Sequence, residues 1–334
     1  MKLLPGKFRA KVARTIKNSS IGKSVYYLFI TTRFKDESIA VFRGIKMYQS
    51  SSSSGNISTL RRNIHRIEKG LITPNPRPYF AESYIHETVV QFKKIASLGH
   101  DKSSAQWAFG ILNQYFQTVQ STPKIKQAET LFLESAKDSE PANHRTFKAE
   151  ERAPNTITHT DFLNLNIKRR SVRYYLQQQV PRELVEKAVA VALQAPSACN
   201  RQPFMFRIID DPELLKTASR LPIGTESFAD QIQMMVFVVG DLSYYFDVRD
   251  KHVIYIDGSL AAMNFILSLE TLGLSSCMIN WGDIPERNKA LKDFLHLNVW
   301  ERCVMAISVG YADPKGGIPS SIKKHPINVI KYNV

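Results

Sequence analysis

Two short stretches concentrate side chains suited to holding a ligand. In IKRRSVRYY, Arg169, Arg170, Ser171 and Arg173 set three guanidiniums and a hydroxyl within five residues. The planar fork of arginine matches phosphate oxygens, and a serine hydroxyl completes such a cradle. A solvated basic turn has the same composition, so the cluster alone indicates an anion without naming it. The second stretch, APSACNRQPF (195–204), carries the amides of Asn200 and Gln202 between Pro196 and Pro203. Groups that both donate and accept complement a uracil-like or pteridine-like edge, and the prolines stiffen the backbone that presents them. Cys199 has no histidine near it in sequence and reads as a small packing residue in preference to a nucleophile. Two further pieces follow. INWGDIP offers the flat surface of Trp281 and close backbone approach at Gly282. SSIKKHPINVI places Lys323 and Lys324 where an anion can be met.

The elements that must position these residues are visible in the hydrophobic pattern. Pro181 suits a first helical turn, and Leu184, Val185, Ala188, Val189, Ala192 and Leu193 then share one face. The arginine cluster is expected just before a helix. FMFRIID, MMVFVVG, SSCMIN and CVMAISVGYA read as strands. IPERNKALKDFLHL reads as a helix, and YIDGSLAAMNFILSLETLGL, with few charges, as a helix buried on most sides. This alternation predicts an α/β or α+β domain over 161–334.

The remaining chain divides into a basic arm (1–58), a helical extension (59–135) and a polar, proline-bearing linker (136–160). The net charge is +15, and eleven basic against two acidic residues place +9 of it in the first sixty. Such an arm suits nucleic acid, an anionic membrane surface or an acidic partner. Leu3, Leu4, Phe8, Val12 and Ile16 would share a helix face opposite basic residues, and QSSSSSGNIS reads as a flexible connection. In the extension, YIHETVVQFKKIASL and AQWAFGILNQYF read as helices, and His65 and Glu68 can share a helix face, either to bind a ligand or, as is commoner, as a local hydrogen-bonded pair. Three scattered cysteines fit a reducing compartment, and the histidines show no metal-ligand spacing. No secretory signal pattern is visible, and the run 25–30 is too short to span a bilayer. A cytoplasmic protein, peripheral at most to the inner membrane face, is the expectation.

Together, RRSVRYY, APSACNRQPFMF, IDGSLAAMNFILSLETLGLSSC and VGYADP resemble, in order and approximate spacing, the nitroreductase family of FMN-dependent oxidoreductases, over about 161–334. The resemblance implies an α+β fold with a mixed central sheet flanked by helices, here with a helical N-terminal extension. It also implies a homodimer with FMN at its interface. By that resemblance Arg169, Arg170 and Ser171 hold the phosphate and Arg173 the polar edge of the ring. Pro196, Ser197 and Ala198 cover the ring from the other subunit, and Asn200 bonds its pyrimidine side. Trp281 and Gly282 lie near N5, and Lys324, or the adjacent Lys323, meets the phosphate. No protein side chain acts as catalyst. NADH or NADPH gives a hydride to flavin N5, and a small-molecule acceptor takes it. Phe204 stands where a tryptophan is common in the family. RRNIHRIEKGL is similar to a segment preceding the flavin domain in some bacterial relatives associated with surface-polysaccharide genes.

Two other readings compete. A degenerate member of the fold would serve as a membrane-surface or complex scaffold through the basic arm. A nucleic-acid-binding protein would explain the charge, but no helix-turn-helix or zinc motif is present and no aromatic residues interleave the basic arm in a stacking pattern, so nucleic acid is not expected.

Overall fold

The computed structural model describes residues 33–51, 55–99, 101–136 and 143–333. The apolar face from Leu3 to Ile16 and the run 25–30 lie outside the described residues.

The four expected strands form as β1 (Phe204–Ile209), β2 (Met234–Asp241), β3 (Ser275–Asn280) and β4 (Glu301–Gly310). They make one sheet in the order β1-β2-β4-β3, with every neighbouring pair antiparallel. Its parallel component is a single bridge from Ser171 to Ser276, beside the start of β3. The unbroken apolar run of β2 follows from burial on both faces, where alternation with polar residues has no use. Met235, Phe237 and Val239 point into one core cluster, and Met234, Val236 and Val238 into another.

Ahead of the sheet lie α1 (Arg33–Ser50), α2 (Ile57–Leu71), α3 (Ile85–Leu98), α4 (Lys102–Thr118), α5 (Pro123–Ala136) and α6 (His159–Lys168). Around it lie α7 (Arg182–Ala192), α8 (Pro212–Ala218), α9 (Val253–Thr271) and α10 (Pro285–Leu295). Helices α7 and α9 cover the Val236 face, and α8 and α10 supply Ala218, Leu291 and Leu295 to the Phe237 face. The segment 248–271 is long and apolar enough to cross a membrane, but its buried side chains are those that pack α9 on the sheet.

Helices α2 to α5 enclose a separate core around Ile64, Phe92, Tyr115 and Phe132. Gly70 is needed there, because a Cβ at this position would stand 2.2 Å from the Phe80 ring. Helix α1 docks on the sheet domain through Ala40 and Val41 against Leu242, Tyr245 and Ile254. The Ser/Gly connection ends in an ordered cap. Buried Asn56 accepts from Thr59 N at 2.9 Å to start α2, and its own N–H donates to Gln91 Oε1 at 2.7 Å.

One expectation needs correction. The arginine cluster follows a helix instead of preceding one. A Thr158–Asp161 capping box starts α6, Arg169 is its C-cap, and the next helix begins only at Arg182. The intervening chain is extended because Val172 N donates to Ser276 O at 3.0 Å and Leu176 N to Tyr311 O at 2.9 Å. Helix α9 is buried on most sides, as expected, and one face stays open. Ile256, Leu260 and Met263 form an apolar stripe that is 56%, 43% and 37% exposed.

Asp241, at the end of β2, supplies a pH prediction. Burial raises its pKa to about 6, against hydrogen bonds from Ser243 N and Oγ that lower it. The folded state therefore binds the proton more tightly than the unfolded chain, and stability falls as pH rises from about 4 to about 6. The full shift corresponds to about 3 kcal/mol, which solvent at this partly exposed carboxyl reduces to about 1–2 kcal/mol. Asp241→Asn should stabilise the protein by that amount at pH 7 and by almost nothing near pH 4. Urea melts at the two pH values check it, and an equal effect at both would count against it.

Candidate functional site

The arginine segment is fastened to the sheet by Tyr175. Its buried hydroxyl donates to the Val172 carbonyl at 2.6 Å and lies 2.9 Å from Ser308 Oγ, and burial drives its pKa well above the phenol range. Gly310 makes room for the ring, since a Cβ there would come within 2.7 Å of it. Ahead of this anchor, Ser171 bridges Ser276, and the Arg173 guanidinium lies 6.0 Å from the Phe228 ring centre. Arg170 Nη2 donates to the carbonyls of Pro319 and Ser320. That contact draws the C-terminal tail to the cluster, while Lys323 and Lys324 further along it are exposed.

The amide-bearing loop is held in an unusual conformation. Cys199, Asn200 and Gln202 all take left-handed backbone angles, with φ of 53°, 52° and 53°. For residues with a Cβ each such angle costs about 1–2 kcal/mol, so the surroundings must hold it. They do so from several sides. Ala198 N donates to Asp257 Oδ2 at 3.0 Å, Gln202 N to Ser197 Oγ at 3.1 Å, and Gln202 Nε2 to Asn200 Oδ1 at 3.2 Å. Arg201 is 4% exposed, lies 4.9 Å from the Tyr245 ring centre and reaches Asp250 at 4.0 Å. From the extension, Arg61 Nε donates to the Asn200 carbonyl at 2.6 Å. Burial raises the pKa of Asp257, opposed by the Ala198 amide and by Arg201.

The third piece follows β3. The Trp281 indole N–H donates to Asn288 Oδ1 at 2.8 Å, and the ring meets Phe237 edge-on at 6.1 Å. Asp283 accepts from Asn288 at 2.6 Å and from Arg302 at 2.8 Å, which fixes the turn. A Cβ at Gly282 would meet nothing closer than Ile223 Cδ1 at 3.6 Å, so intrachain packing does not require glycine there. A cavity of about 570 Å³ borders Trp281, with Phe42, His252, Tyr255 and Arg302 in its wall.

The residues predicted from sequence thus form three groups within one chain. Arg169, Arg170, Ser171 and Arg173 share a segment, with the tail of Lys324 attached through Arg170. Pro196, Ser197, Ala198 and Asn200 share the strained loop, and Trp281 and Gly282 the turn after β3. Among the described residues no hydrogen bond or ring contact joins these groups. Asp257, Arg201, Arg61 and Tyr175 escaped the sequence reading as supports. A lone acid in the apolar first turns of α9 was a signal for Asp257, since an unpaired carboxylate is rarely buried there.

A flavin phosphate and ring suit the arginine segment chemically. Arg169 Nε and Ser276 Oγ, on either side of Ser171, are buried with no hydrogen-bond partner among the described residues. Buried donors left unpaired cost free energy, so a site that offers them an anion or a polar ring edge is satisfied by binding.

The Nitroreductase family model matches residues 167–223 and 218–311. A protein of Archaeoglobus fulgidus, provisionally named an NADH dehydrogenase/NAD(P)H nitroreductase, is 32% identical over 145 residues, which are 43% of this chain and 80% of that protein. Human iodotyrosine deiodinase 1 is 21% identical over 225 residues, 58% of this chain and 74% of that protein. Among solved structures, an FMN-dependent nitroreductase of Clostridium difficile R20291 is 24% identical with a TM-score of 0.45, over 52% of this chain and 99% of that one. The family-model match, together with a relative 32% identical over 80% of its own length, shows that this chain belongs to the nitroreductase family of oxidoreductases.

Proposed function

We propose that the chain is an FMN-dependent oxidoreductase that takes electrons from NADH or NADPH and delivers them to a small-molecule acceptor. The observation that carries this reading is the pair of unpartnered buried donors, Arg169 Nε and Ser276 Oγ, flanking Ser171. Arg169, Arg170 and Ser171 would bind the phosphate, with Lys324 or Lys323 arriving on the tail. Arg173 would set positive charge against the ring edge where negative charge accumulates. Asn200 would hydrogen-bond the pyrimidine side, and Trp281 and Gly282 would lie at N5, where an uncrowded glycine admits the ring. The chemistry supplied by bound FMN is hydride acceptance at N5 and onward delivery to the acceptor. The cavity beside Trp281 would admit that acceptor.

A homodimer fits the separation of the three groups, because Pro196, Ser197 and Ala198 of a second copy would close the site formed by the arginine segment of the first. The exposed stripe of Ile256, Leu260 and Met263 and the exposed tail residues Ile322 and Ile327 give such a dimer apolar surface to bury. We place the protein in the cytoplasm, where nicotinamide donors coexist with free thiols such as Cys277 and Cys303.

Titration of the full chain with FMN, followed by anaerobic NADH or NADPH, tests the reading. Flavin absorption that binds and then bleaches is expected, and a chain that takes up no FMN overturns it. Arg169→Ala should weaken FMN binding about ten- to a hundredfold, the loss of a charge-assisted hydrogen bond, with the melting temperature unchanged.

A further inference from the structure

RRNIHRIEKGL, in α2, has no part in the cofactor reading, and most of it serves the extension's own packing. His65 Nδ1 lies 3.4 Å from Glu68, Glu68 accepts from the Trp107 indole at 2.8 Å, and Arg66 stacks on Tyr84 at 3.8 Å. Arg61 differs. Its Nε donates to the Asn200 carbonyl at 2.6 Å, its Nη1 to Ser104 Oγ on α4, and its guanidinium lies 5.2 Å from the Trp107 ring centre. Asp101 holds Ser104 in turn, accepting from its N–H at 2.9 Å. Burial lowers the pKa of Arg61, and the charges of Asp101 and Glu68 oppose that shift. The extension therefore presents a guanidinium oriented on three sides to one backbone carbonyl of the strained loop.

The carbonyl it grips belongs to the middle of the left-handed run at Cys199, Asn200 and Gln202. The Asn200 side chain accepts from Gln202 through Oδ1, and its Nδ2 makes no hydrogen bond among the described residues. A second tie joins the two parts nearby, where Ser58 Oγ donates to the Tyr244 carbonyl at 2.5 Å. We propose that Arg61 is a positioning residue: it locks the Asn200 backbone so that the Asn200 amide faces the flavin, making the helical extension a clamp on the cofactor loop. This rests on the FMN reading above. Arginine is required because one planar fork spans two acceptors while stacked on an indole, which a lysine ammonium cannot do.

The test compares the full-length wild type with Arg61→Ala and Arg61→Lys, using FMN as the probe. Readouts are thermal melting, amide hydrogen exchange over 198–203 in the FMN-free protein, FMN affinity and the midpoint potential of bound FMN. Arg61→Ala should speed exchange across the loop about tenfold while leaving β2 protected, since the loop opens locally and the sheet does not. It should also weaken FMN about tenfold and shift the potential, and Arg61→Lys should fall between, also serving if the alanine variant does not fold. Wild-type loop exchange, FMN affinity and potential in both variants would overturn the clamp while leaving the FMN reading intact. A wild type that binds no FMN would overturn the cofactor reading itself and, with it, any role of Arg61 toward the flavin.

Discussion

Replacing Asp257 with alanine is expected to lower the unfolding free energy by about 3–5 kcal/mol, the usual cost of removing one member of a buried charged network. The carboxylate is 3% exposed and sits on α9 beneath the strained loop. Its Oδ2 is the acceptor for the Ala198 amide at 3.0 Å, and Arg201 shares its field while 4% exposed. Without it, the Ala198 N–H loses its acceptor, and Arg201 keeps Asp250 at 4.0 Å and the face of Tyr245 as its partners among the described residues. Asp257→Asn retains an acceptor oxygen and loses the charge, so its cost should be smaller, about 1–2 kcal/mol. Denaturant melts of both variants decide the matter. An alanine variant within about 1 kcal/mol of wild type would mean that the loop is held chiefly by its other contacts.

The second large effect is expected at Phe265, where alanine should cost about 3–5 kcal/mol. The ring is fully buried, packs on Phe206 with centres 5.1 Å apart, and belongs to the cluster that joins α7 and α9 to the sheet. Strand β2 forms the floor of that cluster and cannot move inward, since its opposite face is filled by Phe237 and its neighbours. The cavity would therefore stay open. Leu260, on the same helix but 43% exposed, provides the control. Its alanine variant should lose under about 1 kcal/mol in the monomer. If the stripe is a dimer surface, Leu260→Ala should instead raise the concentration at which the dimer forms, as read by sedimentation. Equal losses of monomer stability at the two sites would contradict the packing described.

Much of the fold was legible because its signals are local. The run MMVFVVG identifies a strand covered on both faces, and the spacing of Leu184, Val185, Ala188 and Ala192 gives a helix with one apolar side. One local signal misled. Nothing in IKRRSVRYY marks that its backbone will bridge Ser276 and Ala312 and so run extended. The low charge of α9 gives its burial on most sides and leaves open which face meets solvent, because an apolar stripe facing solvent and one facing the core have the same composition.

The sequence by itself determined the four strands and helices α7, α9 and α10 of the sheet domain, the family, and the residue types offered to a phosphate and a ring edge. These depend on neighbouring residues and on periodic burial, which the order of side chains carries directly. Only the tertiary structure decided what holds the amide loop in shape. Asp257 and Ala198 are 59 residues apart, and Arg61 and Asn200 are 139 apart. No periodicity links such positions; they meet because α9 packs under the loop and α2 against it, and that juxtaposition is set by the burial of whole elements.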